Sequence, residues 1–318
     1  MAKPLISVIV PVYNEEANIV KAYEAITREF AGLPDYDVEI IFTDNHSTDR
    51  SFALLTDLAH AHPHVKVLRY ARNFGFHRSI LTGYRYAKGD AAIQIDCDLE
   101  DPTSVFPDFL RLWREGHDVV VGVREGRNEG WHMIKIRRVF YRLLNQISDS
   151  PHVMDAGDFR LTDRHILDQL QHIDDADPYV RGLISELANR QGEVRYTRHK
   201  REHGESKFPF WQLVRLAMNG IFSYSTAPLR VATYMGIAIS LVTALLTAFT
   251  ILARLFLNAP WPSGFATTTV LILFGISLNA IFLGIIGEYV GRIYNQVRRR
   301  PTVIIERALN IERRADYP

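Results

Sequence analysis

One cysteine, Cys97, stands among 318 residues. An intramolecular disulfide and a thiolate metal cluster are therefore both excluded, and a reducing compartment fits. Charge of one sign is also missing: 37 basic and 36 acidic side chains leave a net +1. Any basic surface must then be local, and no nucleic-acid partner is expected. Neither G-x-G-x-x-G nor G-x-x-x-x-G-K-[ST] occurs, which argues against dinucleotide binding and ATP hydrolysis through those loops. Met1 to Pro11 lacks the basic region, apolar core and cleavage site of a secretory signal. Its Leu5 to Val10 reads as a strand, so the amino-terminal domain is expected to stay in the cytosol.

The apolar sequence is unevenly spread. After Arg230, Val231 to Ala253 and Phe265 to Gly287 each run about 23 residues without a charge, against roughly 20 needed to cross a bilayer. A hairpin of two spans is expected, joined by Arg254 to Gly264 with Pro260, Trp261 and Pro262. Arg230 on one flank and Arg292, Arg298, Arg299 and Arg300 on the other place both ends in the cytosol. Arg254 runs against that bias but can snorkel to the interface.

Upstream, apolar runs bounded by turn residues alternate with helical patterns, the sign of a largely parallel sheet with crossover helices. Strands are expected at Leu5 to Val10, Val38 to Thr43, Val65 to Tyr70, Ala91 to Ile95 and Val119 to Val123. Helices are expected at Glu15 to Phe30, Ser47 to His60 and Arg78 to Ala87, and loops at Asp174 to Pro178 and Lys200 to Ser206. Trp131 to Ile147 and Phe208 to Tyr224 combine an apolar stripe with positive charge. Each reads either as a helix lying in the headgroup layer or as an amphipathic helix packed on the domain, the second being favoured for the interface because it adjoins a span.

Chemistry is concentrated at strand ends. Asp96, Asp98, Glu100 and Asp101 crowd together just after an apolar strand, and alternation sends Asp96 and Asp98 to one side. Two carboxylates on one face are costly without a cation between them, and hard oxygen ligands of this kind suit Mg²⁺ or Mn²⁺. A bare D-x-D is a weak pattern, but a strand's carboxyl end is where α/β sheets bind ligands. The first strand ends in Val10-Pro11-Val12-Tyr13-Asn14-Glu15-Glu16, with Tyr13 offering a ring for stacking. The second ends in Asp44-Asn45-His46-Ser47, with Asp44 able to accept hydrogen bonds from a base or ribose. Taken singly these are a helix cap and a strand stop; three such ends on one sheet edge point to a site.

The same residues resemble the family 2 glycosyltransferases, in particular their polyprenyl-phosphate group. The resemblance rests on the Val10 to Glu16 run, Asp44-x-x-Ser47-x-Asp49, Arg72-Asn73-Phe74-Gly75 with Gly83, and Asp96-x-Asp98-Leu99-Glu100-Asp101-Pro102. It continues in Gly122-x-Arg124, Gly157-Asp158-Phe159-Arg160-Leu161, Arg198-x-x-Arg201-x-x-Gly204-x-Ser206-Lys207 and Gly287-Glu288-Tyr289-x-Gly291-Arg292. It implies an α/β GT-A (Rossmann-like) nucleotide-sugar domain at 1–206, interfacial helices at 207–229, a transmembrane hairpin at 230–291 and a cytosolic basic tail at 292–318. It also implies a multi-pass protein of the bacterial inner membrane.

By the same resemblance Pro11, Tyr13, Glu15, Asp44, Asp96 and Arg124 belong to the nucleotide-sugar pocket. Asp96, Asp98 and Glu100 belong to a Mg²⁺ or Mn²⁺ site, Glu100 standing where relatives often have Gln. Arg201, Ser206 and Lys207 are expected to meet the acceptor phosphate, and Asn45 replaces the commonest Asp of its motif. Asp158, with Arg201 and Lys207, is expected to be catalytic, Asp158 as a base or acceptor-orienting group; an ion pair with Arg160 or Arg181 is its structural alternative. The implied reaction is inverting transfer of a hexose, UDP-glucose being the favoured donor, to polyprenyl phosphate at the cytoplasmic leaflet. GDP-mannose, UDP-N-acetylhexosamine and a UDP-amino-arabinose derivative are alternative donors, and homo-oligomers are compatible with it. A processive synthase is disfavoured by two spans and no Q-x-x-R-W, and a non-catalytic adaptor by the intact acidic cluster and basic loop.

Overall fold

The computed structural model describes residues 3–125, 156–176, 178–197, 227–257, 265–298 and 300–312. These fall into two compact units, one holding a sheet with its helices and the end of the chain, the other two long helices. The strands are β1 (Leu5–Val12), β2 (Asp37–Asp44), β3 (Val65–Tyr70), β4 (Ala91–Gln94), β5 (Val119–Glu125), β6 (Ala156–Asp163), β7 (Gln191–Thr197) and β8 (Ile305–Leu309). They form one sheet in the order β7-β5-β6-β4-β1-β2-β3-β8.

The expected strands β1 to β5 are all present within two residues of their expected ends. The sheet is mixed rather than largely parallel. β4, β1, β2 and β3 run parallel, but β6 lies antiparallel between β4 and β5, and β8 antiparallel on β3. Chain order runs outward through β1, β2 and β3 and then returns to the other side of β1 for β4, so strand order reverses between β1 and β4. Such a reversal opens a crevice at the strands' carboxyl ends.

Helices cover both faces. On one side pack α1 (Ile19–Ala31), α2 (Ser51–Ala61) and α4 (Phe106–Arg114), burying Ile19, Ile26, Leu55, Phe106 and Phe109 against Ile6, Val8 and Val10. On the other lie α3 (Phe76–Tyr86), α5 (Arg164–His172) and α6 (Val180–Leu187), which bury Ile80, Tyr84, Ile166 and Ile184 against Ile9, Ile41 and Leu68. Strands covered on both faces become largely apolar runs, which is why β1, β4 and β5 are legible; β2 and β3 read by their apolar residues despite Glu39, Lys66 and Arg69. Gly83 lets α3 lie close to β1, since a Cβ there would stand 2.3 Å from the Ile9 Cγ2.

Helix starts differ from expectation. α1 begins at Ile19 rather than Glu15 and α2 at Ser51 rather than Ser47, because the intervening residues form loops bound to each other. α3 begins at Phe76, two residues early, where Gly75 at φ 93° turns the chain into it.

The second unit consists of α7 (Ala227–Leu257) and α8 (Phe265–Val297), in contact with one another where Gly236 faces the Phe282 ring. Both expected spans fall inside these helices. Among the described residues, however, only Phe274–Val297, with mean hydropathy 1.5, is long and apolar enough to cross a membrane, and a two-span hairpin is not established. The second expected span ended at Gly287 because Glu288 is charged. The helix runs on, with Glu288 accepting from Arg292 one turn later at 2.9 Å. The stretch 305–309, expected to be cytosolic tail, is a strand of the sheet.

Candidate active site

The ends of β1, β2 and β4, with the loop before α3, enclose an open cavity of about 380 Å³ at the reversal of strand order. Pro11, Val12, Tyr13 and Glu15 line it from β1 and Asn45 from β2. Asn73, Gly75, Phe76 and Ser79 contribute from the α3 side, and Asp96, Cys97 and Asp98 from the end of β4. Of the expected pocket residues Pro11, Tyr13, Glu15, Asp96 and Asp98 are thus brought together. Tyr13 and Phe76 are both exposed there despite their size, leaving two ring faces for a planar ligand.

The rim is built from strained turns. Asn14, His46 and Leu99 take left-handed backbone angles, φ 56°, 64° and 53°, and each lies just past the end of β1, β2 or β4. Asn and His enter this region more readily than other side chains, but Leu holds it at a cost of order 1–3 kcal/mol, which the surrounding contacts must offset. The Asp44 Oδ1 accepts from the Ser47 N–H at 3.0 Å, and the Ser47 Oγ accepts from the Asn14 N–H at 3.0 Å. The Asn14 Oδ1 in turn accepts from the Thr48 N–H at 2.8 Å, and the Ser51 Oγ from the Glu15 N–H at 2.9 Å. The two strand ends are thereby laced into one rim.

Asn45 sits where an Asp was the commonest form, and its amide uses both chemistries. It donates to the Asn73 Oδ1 at 3.0 Å and accepts from the Phe74 N–H at 2.8 Å. A carboxylate could do only the second. The substitution belongs to a bracket joining β2 to the 72–75 loop, a partnership not visible until the fold brings them together.

At the end of β4, the Asp98 Oδ1 accepts from the Glu100 N–H at 3.1 Å, closing the turn. The Asp96 carboxyl is pushed up to about 7 by its burial and then by Asp158, Asp98 and Asp101, with a hydrogen bond from Gln94 pulling the other way. A divalent cation would relieve that crowding, so the donor set fits one. Among the described residues no three His, Cys, Asp or Glu side chains form a ready-made cage. Mg²⁺ and Mn²⁺ need none when substrate phosphate completes the shell. Glu100 is buried and does not line the cavity, so the structure groups it apart from Asp96 and Asp98.

Asp158 enters from β6, whose antiparallel register with β4 carries it towards Asp96. Arg181 grips it with two donors, Nη2 at 2.7 Å and Nε at 3.3 Å. Burial opposes its ionisation, but Arg181, helped by Arg160 and His77, outweighs burial and holds the carboxyl below its ordinary value. The ion-pair alternative is therefore present, and it leaves an anion near Asp96. Arg124 is turned to Asp101 at 3.1 Å, while the Tyr196 hydroxyl donates to the same carboxylate at 2.6 Å. It has this partner inside the protein and does not line the cavity. Asp44 is fully buried behind the rim rather than exposed to the cavity. Arg201, Ser206 and Lys207, and the segments 131–147 and 208–224, lie outside the described residues.

Residues 7–171 match glycosyl transferase family 2. The chain belongs to this family. Its mixed α/β sheet is the GT-A arrangement, and the protein is a glycosyltransferase. Among relatives of this family 2 enzyme, the uncharacterised glycosyltransferase YkcC of Bacillus subtilis (strain 168) is 36% identical over 98% of this chain and 96% of its own length. The SfII prophage-derived bactoprenol glucosyl transferase of Shigella flexneri is 38% identical over 95% and 98%. The solved mannosyltransferase PcManGT of Pyrobaculum calidifontis, in complex with GDP-Man and Mn²⁺, covers 91% of this chain and 88% of its own at 18% identity, with a TM-score of 0.50. At that identity the likeness speaks for the fold alone.

Proposed function

We propose that this enzyme moves a hexose, with UDP-glucose as the favoured donor, onto polyprenyl phosphate at the cytoplasmic face of a membrane, with inversion. The observation that carries the reading is the convergence of three strand ends on one cavity, with Asp96 and Asp98 where strand order reverses. The near full-length likeness to a bactoprenol glucosyl transferase supports the choice of acceptor and sugar. Tyr13 and Phe76 would flank the base, and Pro11 and Glu15 would border the nucleotide.

Asp96 and Asp98 would hold Mg²⁺ or Mn²⁺, which supplies positive charge to the departing diphosphate. The second pKa of a phosphate ester is about 6, so the acceptor oxygen is already largely anionic near neutral pH and needs little proton removal. The harder task is to bring one anion to another. An acceptor phosphate oxygen forms the new bond to the anomeric carbon, and the old bond's electron pair leaves with the nucleoside diphosphate. Arg201, Ser206 and Lys207 would receive the acceptor phosphate. Asp158, held by Arg181, would orient the acceptor or take its residual proton.

Apolar residues of α7 and α8 that stand exposed, among them Leu241, Phe249, Leu271 and Leu283, support a two-span membrane anchor with both termini cytosolic. The test is to incubate detergent-purified protein with undecaprenyl phosphate, Mg²⁺ and a panel of nucleotide-sugars and follow lipid-linked product by mass spectrometry. A single hexosyl product from UDP-glucose supports the reading. No lipid product with any donor, while an active relative works in parallel, would sink it.

A further inference from the structure

The chain leaves the sheet-containing unit for its long apolar helices and then returns to it. Val303 and Ile305 are buried in the core beside Leu68 and Tyr70, and the Ala71 N–H donates to the Ile304 carbonyl at 2.9 Å. Asn310, at φ 55°, donates to the carbonyls of Ala59, at the end of α2, and Val65, at the start of β3, at 2.6 and 2.9 Å. The returning segment is therefore fastened at both ends.

Between those fastenings the ladder slips. Val67, Leu68 and Arg69 pair with Leu309, Ala308 and Arg307, but Tyr70 pairs with Ile305. Glu306 is thus the extra residue of a bulge, a device that re-aims a side chain. Here the Glu306 Oε2 accepts from the Arg69 Nε at 3.2 Å and lies 3.8 Å from the His46 Nδ1. Arg69 stands directly opposite Arg307, so Glu306 also offsets a like-charge cross-strand pair. On its other side, the Arg69 Nη1 is 3.7 Å from the Asp44 Oδ2, an oxygen with no hydrogen bond of its own. Burial drives the Asp44 carboxyl up, and Ser47 and Arg69 pull against it.

A continuous path results: Glu306 to Arg69, Arg69 to Asp44, Asp44 to the Ser47 N–H, and the Ser47 Oγ to the Asn14 N–H, beside Tyr13 and Glu15 on the cavity rim. We propose that Glu306, delivered by the strand that follows the apolar helices, is a positioning residue of the nucleotide pocket, acting through Arg69 on Asp44 and the rim it holds. This rests on the nucleotide-sugar reading given above. It makes the carboxyl-terminal strand part of the donor site rather than a free tail, and it ties that site to the segment joining it to α8.

The test uses the full-length protein in detergent, with UDP and UDP-glucose as probes in the presence of Mg²⁺. Glu306→Gln should raise the Kd for UDP and the KM for UDP-glucose about fivefold, the scale of coupling through such networks. It should leave kcat, the KM for undecaprenyl phosphate and the thermal midpoint where they were. Arg69→Gln should match it, and the double variant should add little. Glu306→Asp, which keeps the charge, should recover part of the loss. An unchanged UDP Kd in Glu306→Gln overturns the proposal. So does a lowered thermal midpoint with the donor and acceptor KM values rising together, which marks a structural role. If the wild-type protein itself binds no nucleoside diphosphate, the functional reading fails first and takes this one with it.

Discussion

The two units use the same apolar residues in opposite surroundings. In the sheet, Val8, Ile9 and Val10 are 0% exposed; on α7, Leu245 and Phe249 are 62% and 66% exposed, and on α8 Leu283 is 66% exposed. Burying such a side chain is worth about 1.5–3 kcal/mol. Row upon row of them in water would make the second unit unstable, whereas in lipid they cost nothing. The first unit is made by its own packing; on the function proposed above it carries the chemistry, and the second is made for another solvent. Separate jobs should therefore respond to separate perturbations.

The largest effect should come from the cavity. Asp98→Ala should lower kcat about a thousandfold or more if a divalent cation stabilises the leaving diphosphate, while the thermal midpoint of the sheet unit stays put. Lipid-linked product counted by mass spectrometry, beside a calorimetric scan, checks both. Next comes removal of the second unit. Replacing 208–298 with a long Gly/Ser linker, which keeps Ser206 and Lys207, should abolish lipid transfer yet keep UDP binding, because β8 is retained. A plain truncation at 205 should instead bare the β3 edge at Leu68 and Tyr70 and leave an aggregation-prone protein. Equal behaviour of the two deletions, read by light scattering and UDP titration, would break the division of labour drawn here.

Smaller effects sharpen it. Gly83→Ala drives a methyl to within 2.3 Å of the Ile9 Cγ2 and should cost about 1–3 kcal/mol of sheet-unit stability, seen in urea unfolding. Leu245→Ser with Phe249→Ser on α7 should weaken partition into vesicles about thirtyfold or more, at about 1–2 kcal/mol per site, with UDP affinity unaltered. A matching loss of UDP affinity would show that the exposed face serves the cavity directly.

The legible parts of the chain share a cause. β1, β4 and β5 read clearly because strands covered on both faces are largely apolar, β2 and β3 read by their apolar residues despite Glu39, Lys66 and Arg69, and Asp96 and Asp98 stand out because acids seldom follow such a run. β6 was missed because Asp158, Arg160 and Asp163 break its apolar pattern, although those charges are held by Arg181, backbone carbonyls and Trp113 once folded. β8 was missed because its partner β3 lies more than 200 residues upstream, and no local periodicity announces so distant a pairing. Arg124 is assigned to the nucleotide-sugar pocket by the Gly122-x-Arg124 resemblance. Its link to Asp101 and Tyr196 arises only when β5 and β7 lie side by side. The Asn45 to Asn73 bracket was equally hidden, though the departure from the commonest motif at Asn45 was a signal that could have prompted a search for a partner needing a donor.

The central claim is that the cavity between the ends of β1 and β4 binds a nucleoside diphosphate together with a divalent cation. Calorimetric titration of UDP into the full-length protein, with and without Mn²⁺, tests it most directly. Saturable binding that needs the cation and disappears in Asp98→Ala is expected. Binding that is indifferent to both cation and substitution would contradict it.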